Sequence, residues 1–401
     1  MADALCEPCG DERAQAMTYD AVVLGLGGMG SAALAHLARR GKRVLGIEQY
    51  ARGHDRGASA GNSRIIRMAY YEDPAYVPLL RRAYELWLEL EAAGARPLLD
   101  LCGVLMAGRA DSPILAGAQA SARLHDIPIE ELGAAQLARR YPALRVLPGE
   151  RALFEPNAGM VFPEAAIDGH LRIAQAAGAE VRYETPVAGY TARSDAIHLA
   201  LADGSPVRTR RLAICAGPWL AEVAAELALP LTVQRNVQLW FAPAAEAYGR
   251  DRFPAFFLDR AETPGPLYGF PDYGLGVKAA LHGHGATTSA AQLDRSIGDA
   301  DVEPVRRALE AFMPGAATAL RAGKACMYTL TPDQHFVIDT HPSDSRIVVA
   351  GGFSGHGYKF CPVVGEIVAD LTLNGATRHP IGFLRIDRPA LRPPDPAISR
   401  S

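Results

Sequence analysis

The sequence predicts a mixed α/β fold whose organising unit is a Rossmann-type βαβ crossover. Three observations predict it. Gly25-x-Gly27-x-x-Gly30 lies between an apolar strand and a helix. Glu48 closes the next apolar strand, where a carboxylate meets ribose hydroxyls. A second glycine-rich loop, GGFSGHG, follows a strand near the other end of the chain.

The elements follow in order. Residues 19–25, YDAVVLG, read as a strand. Residues 27–40 read as a helix with Ala33, Leu34, Leu37 and Ala38 on its packing side, and residues 42–48, KRVLGIE, as the second strand. Residues 76–92 place Leu79, Leu80, Ala83, Leu86 and Leu90 at helical spacing. Short apolar runs and a helix near residues 134–141 come next. Residues 159–178 read as a strand leading into a helix capped at Gly178. AIHLALADGSPV is a hairpin turning at Asp203-Gly204, and RLAICAG is a strand ending in small residues. Residues 231–300 are rich in strands, residues 302–312 are helical, and residues 363–373 form the last helix.

Bulk properties narrow the class. The chain has 401 residues, 49% of them hydrophobic and 21% charged, an ordinary balance for a globular protein of one large domain or two. A net charge of −3 provides no basic field for nucleic acid or anionic membrane. The apolar residues 21–38 contain the glycine motif and His36, so they read as strand, turn and helix rather than a membrane segment. Residues 1–16 read as a disordered leader ending before Met17. The six cysteines are scattered, and Cys6-x-x-Cys9 has no matching second pair. No metal site is expected, and the setting reads as reducing and cytoplasmic.

Each glycine of the first motif has a physical task. Gly25 permits the tight turn, Gly27 lets the backbone approach a pyrophosphate, and Gly30 allows close packing of helix on strand, with Gly28 among the expected cofactor contacts. The helix N-terminus offers N–H groups to the phosphates. The motif alone does not separate NAD from FAD. The RLAICAG strand, which leads the chain back toward the cofactor at Ala216 and Gly217, and the late GGFSGHG loop favour an extended flavin dinucleotide.

With these motifs in place, the chain resembles the family of monomeric sarcosine oxidase and N-methyltryptophan oxidase, among the D-amino acid oxidase-like flavoproteins. The resemblance spans nearly everything after Met17. It is carried by YDAVVLGLGGMGSAA, GNSRIIRMAYYEDPAYVPLLRRAYELW, CAGPWL, LYGFPDYGLGVKAALH, CMYTLTPDQHFVID and GGFSGHGYKF. It implies a discontinuous FAD domain, residues 17–100, 152–232 and 323–390. It also implies a substrate domain with a mixed or antiparallel sheet, residues 101–151 and 233–322.

The resemblance also implies roles. Cys326 matches a cysteine that forms a thioether to the flavin, so the FAD is expected to be covalent. Lys278 matches a lysine over the flavin face that assists reaction with oxygen. Arg67 and Lys359 match a pair that holds a substrate carboxylate, and Arg64 an arginine against the flavin. The i and i+3 spacing of the two arginines, read as a helix or turn, points both toward one cavity. Gly355, His356 and Gly357 match the loop at the flavin's pyrimidine end. Tyr268, His282, Tyr70 and Thr329 match positions lining the active site. Met29, Gly61, Ser63, Val187 and Trp219 complete the expected cofactor contacts.

The implied reaction oxidises the C–N bond of a small secondary amine that carries a carboxylate. Oxygen becomes hydrogen peroxide, and an N-methyl substrate yields formaldehyde and the primary amino acid. A cyclic imino acid such as proline or pipecolate, or a flavin dehydrogenase with another electron acceptor, are the alternatives. The expected assembly is a monomer or small homo-oligomer. The chain departs from the family pattern at Ser59 and Ala60 (usually histidines), Met68 (usually histidine) and Tyr71 (commonly glycine), while Glu72 follows the pattern. The LYGFPDYGLGVK tract is one residue shorter than in the sarcosine enzymes. These changes flank the proposed substrate pocket and bear on which amine is used.

Overall fold

Alternate residues of the strand Ala21–Leu24 feed two different cores. Ala21 and Val23 pack under helices, whereas Val22 and Leu24 pack against a small β-sheet. A strand apolar on both faces belongs in the middle of a covered parallel sheet, and that is where it lies. This computed structural model describes residues 18–94, 97–244 and 246–392. The leader read over residues 1–16, Met17 and the Cys6/Cys9 pair lie outside the described residues.

The central sheet runs in the order Glu180–Arg182, Val44–Ile47, Ala21–Leu24, Leu212–Ile214, Asp344–Gly351, Val337–His341. All neighbours are parallel except the last pair. The helices Gly28–Arg39, Pro163–Ala176 and Cys361–Asn374 pack together on one side, with Val77–Ala93 against the last of them. The other side is covered by the sheet built from Thr18–Tyr19, Pro206–Thr209, Ile197–Leu201 and Val187–Ala192. The predicted hairpin is the pair Ile197–Leu201 and Pro206–Thr209, with Gly204 at φ +83 in its turn. Gly178, at φ +88, follows the helix Pro163–Ala176 as its sequence position predicts.

A nine-stranded mixed sheet forms the second layer system. Its long strands Thr232–Ala242 and Ala319–Leu330 pair antiparallel, and Ala255–Asp259 pairs parallel with Val104–Arg109. One face packs on the helix Asp299–Phe312 through Leu105, Leu239, Phe241 and Leu309. The strands Glu150–Glu155, Thr232–Ala242 and Ala319–Leu330 of this sheet span residues 151/152, 232/233 and 322/323, where the sequence reading set its domain limits. The opposite face looks toward the central sheet and carries the candidate site. Among the described residues, no helix is long and apolar enough to cross a membrane.

Candidate active site

The nucleotide end is built by close backbone approach. A Cβ on Gly30 would stand 1.8 Å from the Gly25 carbonyl oxygen, and one on Gly25, itself at φ +89, 2.5 Å from the Cys215 carbonyl oxygen. A Cβ on Gly28 would meet the Tyr358 ring at 2.8 Å. These glycines draw the first strand, the helix Gly28–Arg39, the strand Leu212–Ile214 and the late loop together at one point. Glu48 fixes the next loop: its carboxylate accepts from Leu26 N at 2.9 Å and Tyr50 N at 3.2 Å. Burial opposes the Glu48 charge, but His54 and these two N–H groups hold its pKa below the usual carboxylate range.

From this point a cavity of about 530 Å³ runs between the central sheet and the large sheet. Gly25, Gly27, Gly28, Met29, Glu48, Arg64, Val187, Ala216, Gly217, Trp219, Gly355 and Gly357 line it, so twelve of the expected cofactor contacts meet in one space. Gly30 stands behind the wall, packed on Gly25. Gly61, Ser63, Cys326, His356 and Lys359 are not in the lining, and each has a definite place beside it.

Strand alternation explains the far wall. Asn236, Gln238 and Trp240 sit opposite Cys326, Lys324 and Ala322, and Trp240 also sits opposite Lys278. Lys278 faces Phe270, and Ala280, two residues on, faces Tyr268. Cys326 and Tyr328 therefore share one sheet face with Lys278, Tyr268 and His282. Cys326 Sγ lies 3.6 Å from the Ala58 carbonyl and 3.8 Å from an Arg64 nitrogen, both cavity-lining residues. Arg64 also donates to the Ala60 carbonyl at 2.7 Å and the Ser63 carbonyl at 2.8 Å.

Lys278 is buried, and its Nζ donates to Gly61 O at 2.6 Å, Ser63 O at 2.9 Å and Ser63 Oγ at 3.1 Å. Phe270 and Trp240 flank it at 5.0 and 5.3 Å. Burial, reinforced by the Arg64 charge, pushes its pKa well below that of a free lysine. Gly61 and Ser63 are thus the seat of Lys278 rather than cavity lining.

The two carboxylate-binding candidates meet at Tyr70. The Arg67 guanidinium lies 4.6 Å from the Tyr70 ring and Lys359 Nζ 5.1 Å from it. Arg67 donates to both oxygens of Glu72 at 2.7 Å and to the Ala69 carbonyl at 2.9 Å. Lys359 Nζ donates to the His356 carbonyl at 2.6 Å. Burial, then the neighbouring Arg67, bring the Lys359 pKa down to about 7. Burial opposes the Glu72 charge as well, yet Arg67, His356 and Lys359 hold its pKa at about 2. The His356 ring is bonded to Tyr70 Oη and the Gln334 carbonyl, so only its neighbours Gly355 and Gly357 reach the cavity.

One expectation needs correction. Arg64 and Arg67 are not on a helix or turn. Arg64–Ile66 is a short strand paired with Gly159–Val161, and the three-residue spacing sends the side chains apart. Arg64 lines the cavity; Arg67 turns to Glu72 and Tyr70.

His282 packs between Tyr328, Phe257 and Tyr268, with ring centroids 5.5, 5.8 and 6.1 Å away. Burial lowers its pKa to about 4, so it is neutral at pH 7. Thr329 and Tyr328 line the cavity. Sequence reasoning did not single out Tyr328, although it follows Cys326 by two residues and period-two alternation places both on one face. It also missed Glu164, which accepts from Gly61 N at 2.7 Å and Asn62 N at 3.1 Å, and Glu155, which accepts from Met68 N at 2.7 Å and Ala69 N at 2.9 Å. These carboxylates shape the loop from residues 58 to 72 across long sequence separations, which no local pattern shows. Ser59 accepts from Gly28 N at 3.1 Å, which ties this departure from the family pattern to the nucleotide end.

A βαβ cradle with an acidic residue at the end of its second strand, opening into a cavity with buried cations beside it, defines a dinucleotide-dependent redox protein. Residues 20–371 match the family model described as FAD dependent oxidoreductase. The chain is 42% identical over 382 residues to a monomeric sarcosine oxidase of Streptomyces avermitilis, covering 94% of this chain and 99% of that protein. It is 34% identical over 355 residues to an N-methyl-L-tryptophan oxidase of Yersinia pestis, covering 88% and 94%. In fold it is similar to NikD, an amino acid oxidase essential for nikkomycin biosynthesis, at a TM-score of 0.81 with 23% identity, over 92% of this chain and 97% of that one. The chain belongs to the monomeric sarcosine oxidase and N-methyltryptophan oxidase family of FAD-dependent oxidoreductases.

The cavity fits that cofactor. The glycine cradle excludes side chains where the pyrophosphate would lie, and Glu48 would meet the adenosine ribose. Arg64, Tyr328, Gly355 and Gly357 would surround the flavin end.

Proposed function

We propose that the chain oxidises secondary amino acids, with N-methyl amino acids of the sarcosine type as substrates. The carrying observation is the convergence of Arg67 and Lys359 on the Tyr70 ring, next to the aromatic face that holds Lys278, Tyr268 and His282. FAD, when bound, would supply the acceptor for a hydride from the carbon beside the amine nitrogen and the route by which those electrons reach oxygen as hydrogen peroxide.

The chain's own residues do the rest. As the ammonium, Lys359 donates one hydrogen bond to a neutral carbonyl and has two further N–H donors for a substrate carboxylate. Arg67 supplies the permanent charge beside it, with Glu72 setting its orientation. Tyr268, His282 and Tyr328 exclude water and bound the reacting carbon. Lys278 donates to three neutral oxygens, the full donor set of an ammonium, and in that form provides a positive end for charge that develops on oxygen. Cys326 is our candidate for the flavin tether, because its thiol lies beside Arg64 at the cavity edge. The described cysteines are all free, in keeping with a cytoplasmic setting. We also read the nine-stranded sheet with its helix as the substrate domain, and the central sheet as the FAD domain.

A panel of sarcosine, larger N-methyl amino acids, proline and pipecolate, followed by peroxide and formaldehyde release, tests the reading. Sarcosine-type substrates giving both products in equal amounts would support it. Peroxide from the cyclic acids alone would replace it with the imino-acid reading. Substrate-dependent bleaching without peroxide would point to a dehydrogenase. For Cys326, acid precipitation should leave the yellow colour in the pellet; colour in the supernatant would remove the tether.

A further inference from the structure

The Arg67 guanidinium lies over two consecutive tyrosines, 4.6 Å from the Tyr70 ring and 4.4 Å from the Tyr71 ring. The two rings have different surroundings. Tyr70 belongs to the buried cluster with His356 and Phe360. Tyr71 turns to the large sheet, where its ring lies 5.6 Å from Phe257. Phe257 in turn stacks on Tyr268 at 6.3 Å and meets His282 at 5.8 Å. The Tyr71 ring therefore fills the gap between the carboxylate-binding arginine and the aromatic wall of the reaction face.

Its backbone cannot retreat. The helix Pro113–Leu124 presses on it, so that a Cβ on Gly117 would stand 2.7 Å from the Tyr71 carbonyl oxygen. Glu72, the next residue, is anchored to Arg67 through both oxygens. A ring on a fixed backbone, packed on both sides, is a rigid boundary rather than a flap.

We propose that Tyr71 sets the upper size of the substrate's side chain. It blocks the space that a bulky substituent on the α-carbon would enter once the carboxylate is on Arg67. The proposal rests on Arg67 and Lys359 being the carboxylate site, and it deepens that reading by naming the substrate class: N-methyl amino acids with small or absent side chains. A residue that sets size changes the ratio between large and small ligands. A residue that only braces Arg67 changes both alike.

The test uses the FAD-loaded enzyme with Tyr71→Ala, Tyr71→Leu and Tyr71→Phe. Perturbation of the flavin spectrum gives dissociation constants for acetate and phenylacetate, and turnover compares sarcosine with N-methylphenylalanine. In Tyr71→Ala the preference for the small member should fall at least tenfold in both comparisons, in Tyr71→Leu by less, and in Tyr71→Phe not at all. Tyr71→Leu keeps the question answerable if Tyr71→Ala does not fold. Turnover of sarcosine with unchanged ratios in every folded variant would overturn the role of Tyr71 and leave the function standing. A shifted binding ratio in an enzyme that turns over no N-methyl amino acid would keep the size role and sink the substrate reading. Neither turnover nor a shifted ratio would sink both.

Discussion

The nucleotide cradle and the buried charge cluster beside the cavity are held by different means. At the nucleotide end the grip is backbone: glycines at the turn, a helix N-terminus and one carboxylate that bonds main-chain N–H groups. At the charge cluster, our proposed carboxylate site, the grip is side-chain charge. Arg67 is paired with Glu72, and Lys359, without a carboxylate partner of its own among the described residues, shares the Tyr70 ring with it. A backbone site is set by the fold and barely depends on pH. A charged side-chain site depends on burial and on its neighbours, so it can be tuned, and pH can weaken it through Lys359.

The largest expected effect breaks the backbone end. Gly30→Ala puts a methyl group 1.8 Å from the Gly25 oxygen, closer than any relaxation of a close-packed turn absorbs. The purified variant should carry no FAD, which its absorbance spectrum reports; a normal yellow protein would contradict the cradle. At the charge cluster, Arg67→Met removes the proposed carboxylate partner, worth two charge-assisted hydrogen bonds of ~1.5–3 kcal/mol each. We expect kcat/KM for sarcosine to fall at least roughly 100-fold with FAD content unchanged. Glu72, left buried without its partner, should also lower the melting temperature.

Lys278→Met lies between the two ends. Reoxidation in air should slow by roughly 100-fold, the usual cost of losing one preorganised charge stabiliser, while anaerobic bleaching slows far less. Equal slowing of both steps would reassign the lysine to substrate binding. The smallest effect is the pH response of Lys359. Its pKa of about 7 lies below that of a free lysine, so its ammonium is present below about pH 7 and is lost above it. Acetate, which has no amine to titrate in this range, should therefore bind more weakly as pH rises past 7. The expected slope is up to about tenfold per pH unit. Lys359→Met should flatten that slope; an unchanged slope would move the titration to another group.

The same contrast governs what could be read in advance. The βαβ unit, its helix over Gly28–Arg39 and the Glu48 carboxylate follow from local spacing, and the structure places them as that spacing predicts. The hairpin at Gly204 and the cap at Gly178 were equally local. The charge cluster was legible only as separate residues matched to a family. What joins Arg67 to Lys359 is packing between segments nearly three hundred residues apart, around Tyr70. The Arg64–Ile66 strand defeated the helical spacing argument because its partner, Gly159–Val161, lies far along the chain. Tyr328 was within reach of strand periodicity, whereas Glu155 and Glu164 were not, since both act on distant main-chain N–H groups.

The most direct test of the account is an anaerobic titration of the purified enzyme with sarcosine, run beside Arg67→Met. The account predicts that the wild-type flavin absorbance bleaches fully and that admitting air restores it, with one peroxide and one formaldehyde formed per FAD. Arg67→Met should need at least roughly 100-fold more sarcosine for the same bleaching rate. Wild-type colour that no secondary amino acid removes, or an Arg67→Met variant that bleaches as readily as wild type, would contradict it.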